Sequence, residues 1–254
     1  MDRQNYRRRI YDGYASSFRE VGREFNAVAA KRWGKSYDYY FRNWLPQRKD
    51  AAILDLACGS GELLYFFKQR GYTNLAGVDI SPEQIGIARQ VTPDVTEGDV
   101  LDFLMEHSNS FDLIAGLDII EHLRKEEVLI FFERCYGASK PGARIILQTP
   151  NAASPWAPSV RYSDFTHEVC FTPNLLMKLL SMSGFDELAA REACPPPWGY
   201  SLASSIRCLI WQCIRGSLML YSIVETGGTG NGVFTRVFMV SGVKKQTEKP
   251  ITYR

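Results

Sequence analysis

The chain has no Cys-x-x-Cys pair: its six cysteines stand singly at positions 58, 135, 170, 194, 208 and 213. That spacing suits neither a zinc ribbon nor the disulfide framework of a small secreted domain, so the residues read as reduced thiols of a cytoplasmic protein. No apolar run follows the charged start Met1 to Arg9, and export is therefore not expected. Internal repeats and low-complexity tracts are also lacking. Hydrophobic residues make up 45% and charged residues 23%, which excludes disordered, collagenous and coiled-coil classes. At 254 residues the chain fits one domain with additions.

The net charge of +2 covers an asymmetry. Residues 1–50 carry 12 Lys/Arg against 6 Asp/Glu, and the remainder carries 18 against 22. The same stretch holds 11 of the 32 aromatic residues, including Tyr37, Tyr39, Tyr40, Phe41 and Trp44. Interleaved basic and aromatic side chains can pair phosphates and stack bases, but a pI near 8.2 falls short of a nucleic-acid module. Residues 1–50 are therefore read as a helical cap whose Arg and Lys stems lie over aromatic rings. No nucleic-acid partner is expected.

From residue 51 short apolar runs alternate with helical-period segments, the pattern of a mostly parallel sheet wrapped by helices on both faces. Strands are expected at Ala51 to Ala57, Leu75 to Ile80, Val95 to Val100, Phe111 to Ile119 and Arg144 to Gln148. Helices are expected at Glu62 to Arg70, Pro82 to Val91, Leu101 to Ser108, Lys125 to Ser139 and Pro173 to Ser183. Ser81-Pro82 is a helix start and Thr172 caps the last of these helices, while Lys140-Pro141-Gly142 is a turn before the fifth strand. After the turn Gly227 to Gly232, Val233 to Val243 is a late strand. The fold class is thus α/β: a doubly wound, Rossmann-like core over 51–193, with 194–254 supplying an accessory helix and a final strand that completes the core sheet.

Chemistry is first signalled at Asp55-Leu56-Ala57-Cys58-Gly59-Ser60-Gly61-Glu62, where a buried strand ends and a helix begins. Gly59 and Gly61 let the backbone approach a ligand closely. Leu64 stands where a dinucleotide fingerprint has its third glycine, which disfavours a pyrophosphate clamp. Asp55 would repel a pyrophosphate and attract an ammonium. Asp79, ending the second strand, is placed to accept hydrogen bonds from ribose hydroxyls, and Gly98-Asp99-Val100 brings a further carboxylate to the same sheet edge.

These segments, with Phe111-Asp112-Leu113-Ile114 in the fourth strand, resemble the class I S-adenosylmethionine-dependent methyltransferases over roughly residues 50–150. The resemblance implies S-adenosyl-L-methionine as cofactor. It sets Gly59 and Gly61 against the methionine part and Asp55 near its amino group. Asp79 would bind the ribose, Ile80 would flank the adenine, Asp99 would accept from the adenine amino group, and Val100 is a further cofactor-binding residue. Asp118 joins the donor contacts. Ala57 departs from the family, where many members have glycine, and its small size suggests little effect.

Leu117-Asp118-Ile119-Ile120-Glu121-His122-Leu123 resembles the Glu-His segment of small-molecule O-methyltransferases such as those of ubiquinone biosynthesis. His122 is a candidate base for an acceptor hydroxyl, with Glu121 beside it. Alternatively, Asp118, Glu121 and His122 would ligate a divalent cation. The stretch from Arg161 to Pro173, holding His167, resembles methyltransferases found with bacterial surface-glycan biosynthesis, which implies a glycan or other small-molecule acceptor, with Trp156 or Tyr162 stacking on a sugar. A phenol or quinol is the alternative acceptor, and a catalytically silent partner subunit the alternative role. Finally, Tyr200 to Glu225 is apolar but interrupted by Arg207, Gln212 and Arg215, so it does not span a membrane. It reads as an amphipathic helix packed on the domain, pairing with a second subunit in a homodimer, or touching a membrane surface peripherally.

Overall fold

The first apolar run of the core becomes β1 (Ala52–Leu56), whose five residues are all buried because both faces of the sheet are covered. Alternation along the strand sends Ile53 into one core layer and Leu54 and Leu56 into the other. A computed structural model describes Ile10 and residues 24–197 and 201–245. The first half of the expected cap therefore lies outside the described residues. The elements that follow β1 are α2 (Glu62–Gln69), β2 (Asn74–Asp79), α3 (Pro82–Ala88), β3 (Val95–Glu97), α4 (Val100–Glu106) and β4 (Phe111–Leu117). A 3-10 turn at Ile120–His122 leads to α5 (Lys125–Ala138), β5 (Ser139–Pro150), α6 (Ala157–Arg161) and α7 (Pro173–Met182). β6 (Phe185–Glu192), α8 (Leu202–Thr226) and β7 (Val237–Lys244) complete the described chain, and α1 (Ala27–Tyr40) precedes β1.

The seven strands form one sheet in the order β3-β2-β1-β4-β5-β7-β6. The first five are parallel neighbours, and β7 runs antiparallel between β5 and β6. The order reverses between β1 and β4, so the carboxyl ends of these strands diverge and leave a crevice there.

Three expectations need correction. The third strand ends at Glu97, because Asp99 caps α4 and draws Val100 into the first helical turn. Lys140-Pro141-Gly142 lies inside β5 as an irregularity: pairing with β4 jumps from Phe111↔Ser139 to Leu113↔Arg144, with Gly142 at φ 80°. β6 was not expected at all. Its sequence, Phe-Asp-Glu-Leu-Ala-Ala-Arg-Glu, buries only Phe185 fully, since an edge strand needs no two-sided apolar run.

The cap is held by specific contacts. A side chain on Gly34 of α1 would sit 3.2 Å from Phe66 of α2, so glycine lets the two helices touch. Arg191 of β6 donates to the carbonyls of Tyr40 (2.9 Å) and Arg42 (2.7 Å) while its guanidinium lies 3.7 Å from the Trp44 ring centre. Here the arginine comes from the core and the ring from the cap; the expected arrangement is present as well, with Arg42 lying 4.0 Å from the Tyr39 ring centre and Lys49 4.2 Å from that of Tyr72.

Candidate active site

A cavity of about 570 Å³ opens at the carboxyl ends of β1, β2 and β4 and is roofed by Asn26, Trp33 and Tyr37 of the cap. Of the eleven donor-site and catalytic candidates read from sequence, the cavity lining collects eight: Asp55, Gly59, Asp79, Ile80, Asp99, Val100, Asp118 and His122. Gly61 sits behind the wall. Its φ is 93°, and a side chain there would stand 3.3 Å from the Ala88 backbone, so only glycine lets α2 start against α3.

The Asp79 carboxylate holds the glycine loop, accepting from Gly59 N at 2.9 Å and from Ser81 N at 2.8 Å. Asp99 spends Oδ1 on the start of α4, accepting from Leu101 N at 2.7 Å. Ile80 is 47% exposed, an apolar side chain left open on the cavity wall. Asp55 is buried at the end of β1, and burial, then the nearby Glu62 and Asp79 carboxylates, push its carboxyl well above the usual carboxylate range. Leu64 is fully buried, and a side chain on Gly77 would come within 2.9 Å of it. The leucine thus packs between α2 and β2, at the position where a dinucleotide fingerprint has glycine.

Ala57 was expected to substitute for glycine with little effect because it is small. Size is not what the position tests: Ala57 has φ 53°, a left-handed conformation that costs an L-residue about 1–2 kcal/mol. Ala57→Gly is expected to stabilise the fold by about 1 kcal/mol, raising Tm by roughly 2–4 °C for a chain of this size. Thermal unfolding checks this, and an unchanged or lower Tm would show that the loop carries no such strain.

Asp118, also at positive φ (55°), does not join Glu121 and His122. It accepts from Gln148 Nε2 at 3.1 and 2.9 Å, and Gln148 Oε1 accepts from the Tyr37 hydroxyl at 3.1 Å. Burial first, and the Asp118 charge second, raise the Tyr37 hydroxyl pKa, so it stays a donor. This chain ties the cap to β4 and β5. The expected metal set of Asp118, Glu121 and His122 is corrected accordingly: the three groups that converge are Glu121, His122 and His167, with one ligand atom from each within 4.8 Å of the others.

The backbone explains that convergence. The Glu121 carbonyl accepts from Glu168 N (2.7 Å) and Val169 N (3.2 Å), which clamps the loop carrying His167 against the 3-10 turn carrying His122. The imidazole centres lie 4.9 Å apart. His122 Nδ1 lies 2.8 Å from Thr166 Oγ1, which donates to Asp164 Oδ1 at 2.6 Å. With the hydroxyl proton directed at the carboxylate, Thr166 Oγ1 is left to accept from His122 Nδ1, and a neutral ring in that tautomer has Nε2 unprotonated. His167 Nδ1 donates to the Arg161 carbonyl at 3.2 Å. Glu121 is 1% exposed; Oε2 accepts from Thr149 at 3.0 Å, whereas Oε1 is buried without a hydrogen-bond partner. Burial, then Asp118, raise its pKa well above the usual range. Thr166, Asp164 and Gln148 were given no individual role from sequence, where nothing distinguishes them from ordinary loop and strand residues, and Tyr37 was named only among the aromatic residues of the cap.

Trp156 and Tyr162, expected near the acceptor, are 40% and 80% exposed. A second cavity of about 730 Å³ shares Trp33, Tyr37 and Gln148 with the first and adds Arg32 and Tyr40.

Sheet order and the glycine loop define a Rossmann-like fold with its crevice at the strand ends. Residues 25–189 match the family model described as a methyltransferase domain, and the chain belongs to that family, whose donor is S-adenosylmethionine. Curated relatives include the ubiquinone biosynthesis O-methyltransferases of Xanthomonas oryzae and Xylella fastidiosa, each 29% identical over 107 residues. Those matches cover 40% of this chain and 44% or 42% of the relatives, so the chain spans less than half their length. Among solved structures, a SAM-dependent methyltransferase from Archaeoglobus fulgidus superposes with a TM-score of 0.61 at 20% identity, over 96% of this chain and 100% of that one. Phosphoethanolamine N-methyltransferase 2 of Haemonchus contortus, solved with S-adenosyl-L-methionine, gives 0.55 at 15% identity, over 93% and 60%. These two show the shared fold.

Proposed function

We propose that the chain transfers a methyl group from S-adenosylmethionine to a hydroxyl of a small acceptor, a phenol or quinol being the class the surroundings suit best. The single observation carrying this reading is the hydrogen-bonded series Asp164–Thr166–His122 at the rim of the donor cavity. It orients the imidazole so that Nε2 can take a proton, as a general base requires. In the reaction the acceptor oxygen attacks the methyl carbon, the carbon–sulfur bond breaks, its electrons leave with the neutral thioether, and the hydroxyl proton passes to Nε2. Placing donor and acceptor in line supplies much of the rate. The aromatic walls of Trp33, Tyr37 and Tyr40 favour a flat ring, and the similarity to ubiquinone biosynthesis O-methyltransferases supports the same class. A sugar hydroxyl in a surface glycan is the second reading, favoured by the exposed Trp156 and Tyr162.

In the donor site, Asp55 would face the donor ammonium, Asp79 the ribose, Ile80 and Val100 the adenine faces, and the remaining oxygen of Asp99 the adenine amino group. Since burial raises the Asp55 pKa, an arriving ammonium would favour its ionised form. Donor binding is therefore expected to release a proton and to weaken as pH falls below the raised Asp55 pKa. Calorimetry in buffers of unlike ionisation enthalpy reads this directly, and a binding enthalpy independent of buffer would rule it out.

A divalent cation is the alternative to a bare base. Each imidazole already donates Nδ1–H to an oxygen, the arrangement that orients metal-binding histidines, and the orphaned Glu121 Oε1 completes a carboxylate-and-imidazole donor set. Glu121, His122 and His167 would hold the ion, which when bound lowers the pKa of a coordinated hydroxyl. A transfer assay with labelled donor against catechols, quinols and sugars, with and without chelator, tests the proposal. Methylation of a phenol that survives chelation supports the base, and loss restored by divalent cation supports the metal. Transfer to sugars alone would replace the phenol reading.

A further inference from the structure

The accessory helix α8 presents its apolar residues to solvent. Its inner side touches the body through few residues: Ser204 donates to the Pro196 carbonyl at 2.8 Å, and Trp211 Nε1 donates to Glu192 Oε2 at 3.1 Å. Arg215 pairs with the same Glu192 oxygen at 3.4 Å. The outer side carries Leu202, Ile206, Leu209, Cys213, Gly216, Leu220 and Ile223, spaced 4-3-4-3-4-3, all exposed. That is an uncharged heptad seam along 22 residues of a 25-residue helix. Ile210, Ile214, Tyr221 and Val224 widen it, and Leu202 and Val224 are each 80% exposed.

We propose that this face is the self-complementary interface of a homodimer in which two α8 helices pack antiparallel across a two-fold axis. The exposed apolar side chains leave on the order of 800 Å² open per protomer, past the roughly 300–600 Å² of the largest patch on an ordinary monomer and about what one partner contributes to a stable interface. Antiparallel pairing sets Leu202 against Leu220, Ile206 against Gly216 and Leu209 against Cys213, so each small seam residue meets a branched one. Nothing lies within 4 Å of a side chain added at Gly216, which leaves room for that isoleucine. A parallel pair would stack Gly216 on its own copy and leave a void, which close packing disfavours. A second copy fits this surface better than a bilayer does. Interfacial helices carry several cations beside the apolar face, whereas the cations of α8 are Arg207 and Arg215, and the second is held by Glu192. No described helix is long and apolar enough to cross a membrane.

The test is the mass of the full chain in solution by sedimentation equilibrium, with parallel flotation against vesicles of anionic and neutral phospholipid. The expected result is twice the 28.8 kDa chain mass, falling to the monomer in Leu209→Glu and Leu220→Glu, which alter exposed positions and should retain donor binding as a check of folding. A short bismaleimide should couple two protomers through the exposed Cys213, and Cys213→Ser should remove the crosslink while the mass stays dimeric. A monomeric wild type, a dimer indifferent to both glutamates, or flotation of monomers with vesicles would overturn the proposal.

Discussion

His122→Ala is expected to slow methyl transfer by about 10² to 10⁴ while donor affinity stays nearly intact. The side chain stands at the cavity rim on the 3-10 turn, away from the glycine loop and from the acids of β1 and β2, so its loss removes proton acceptance without touching the donor's own contacts. Single-turnover transfer at saturating donor isolates that step from acceptor binding. His167→Ala should also retain donor binding and slow transfer, because its ring packs 4.9 Å from His122. Thr166→Val interrupts the link to Asp164 and is expected to cost a smaller factor, with Thr166→Ser restoring it. Full activity in both histidine variants would place the deprotonating group elsewhere.

The second large effect concerns Asp79. In the proposed site Asp79→Ala should weaken S-adenosylmethionine binding by roughly 1.5–3 kcal/mol, the scale of hydrogen bonds to a charged group, which raises Kd roughly tenfold to 150-fold. The alanine variant also strips the acceptor from Gly59 N and Ser81 N, so its stability should fall. Asp79→Asn, which keeps one acceptor oxygen, separates loop order from ribose contact. Calorimetry on wild type and both variants decides, and a folded Asp79→Asn with unchanged Kd would remove the ribose role. The wild type should show no binding of NAD, since Leu64 stands where a dinucleotide fingerprint has its third glycine and Asp55 brings an acid to the loop.

Two features show why part of the site was readable and part was not. The strand-end acids and the glycine loop follow from local order: a buried apolar run must end, the chain must turn, and the residues at that turn line the crevice. The Glu121–His122–His167 cluster depends on the Glu121 carbonyl receiving two amides from a loop more than forty residues downstream, a pairing that no local pattern encodes. Asp118 illustrates the opposite error. Its neighbours in sequence suggested a ligand set, but its positive φ turns it toward Gln148 on the adjacent strand.

By itself the sequence determined the alternating α/β order and most of the residues that line the crevice at the strand ends, because periodicity, caps and turn residues are properties of short stretches. Only the tertiary structure decided that β6 joins the sheet and that Ala57 is strained. It also decided that Glu192 anchors an accessory helix whose apolar side faces outward. An edge strand lacks two-sided hydrophobicity, a residue's letter does not state its φ, and an amphipathic helix does not announce which of its faces the body will take. Those outcomes rest on what lies across the fold from each residue.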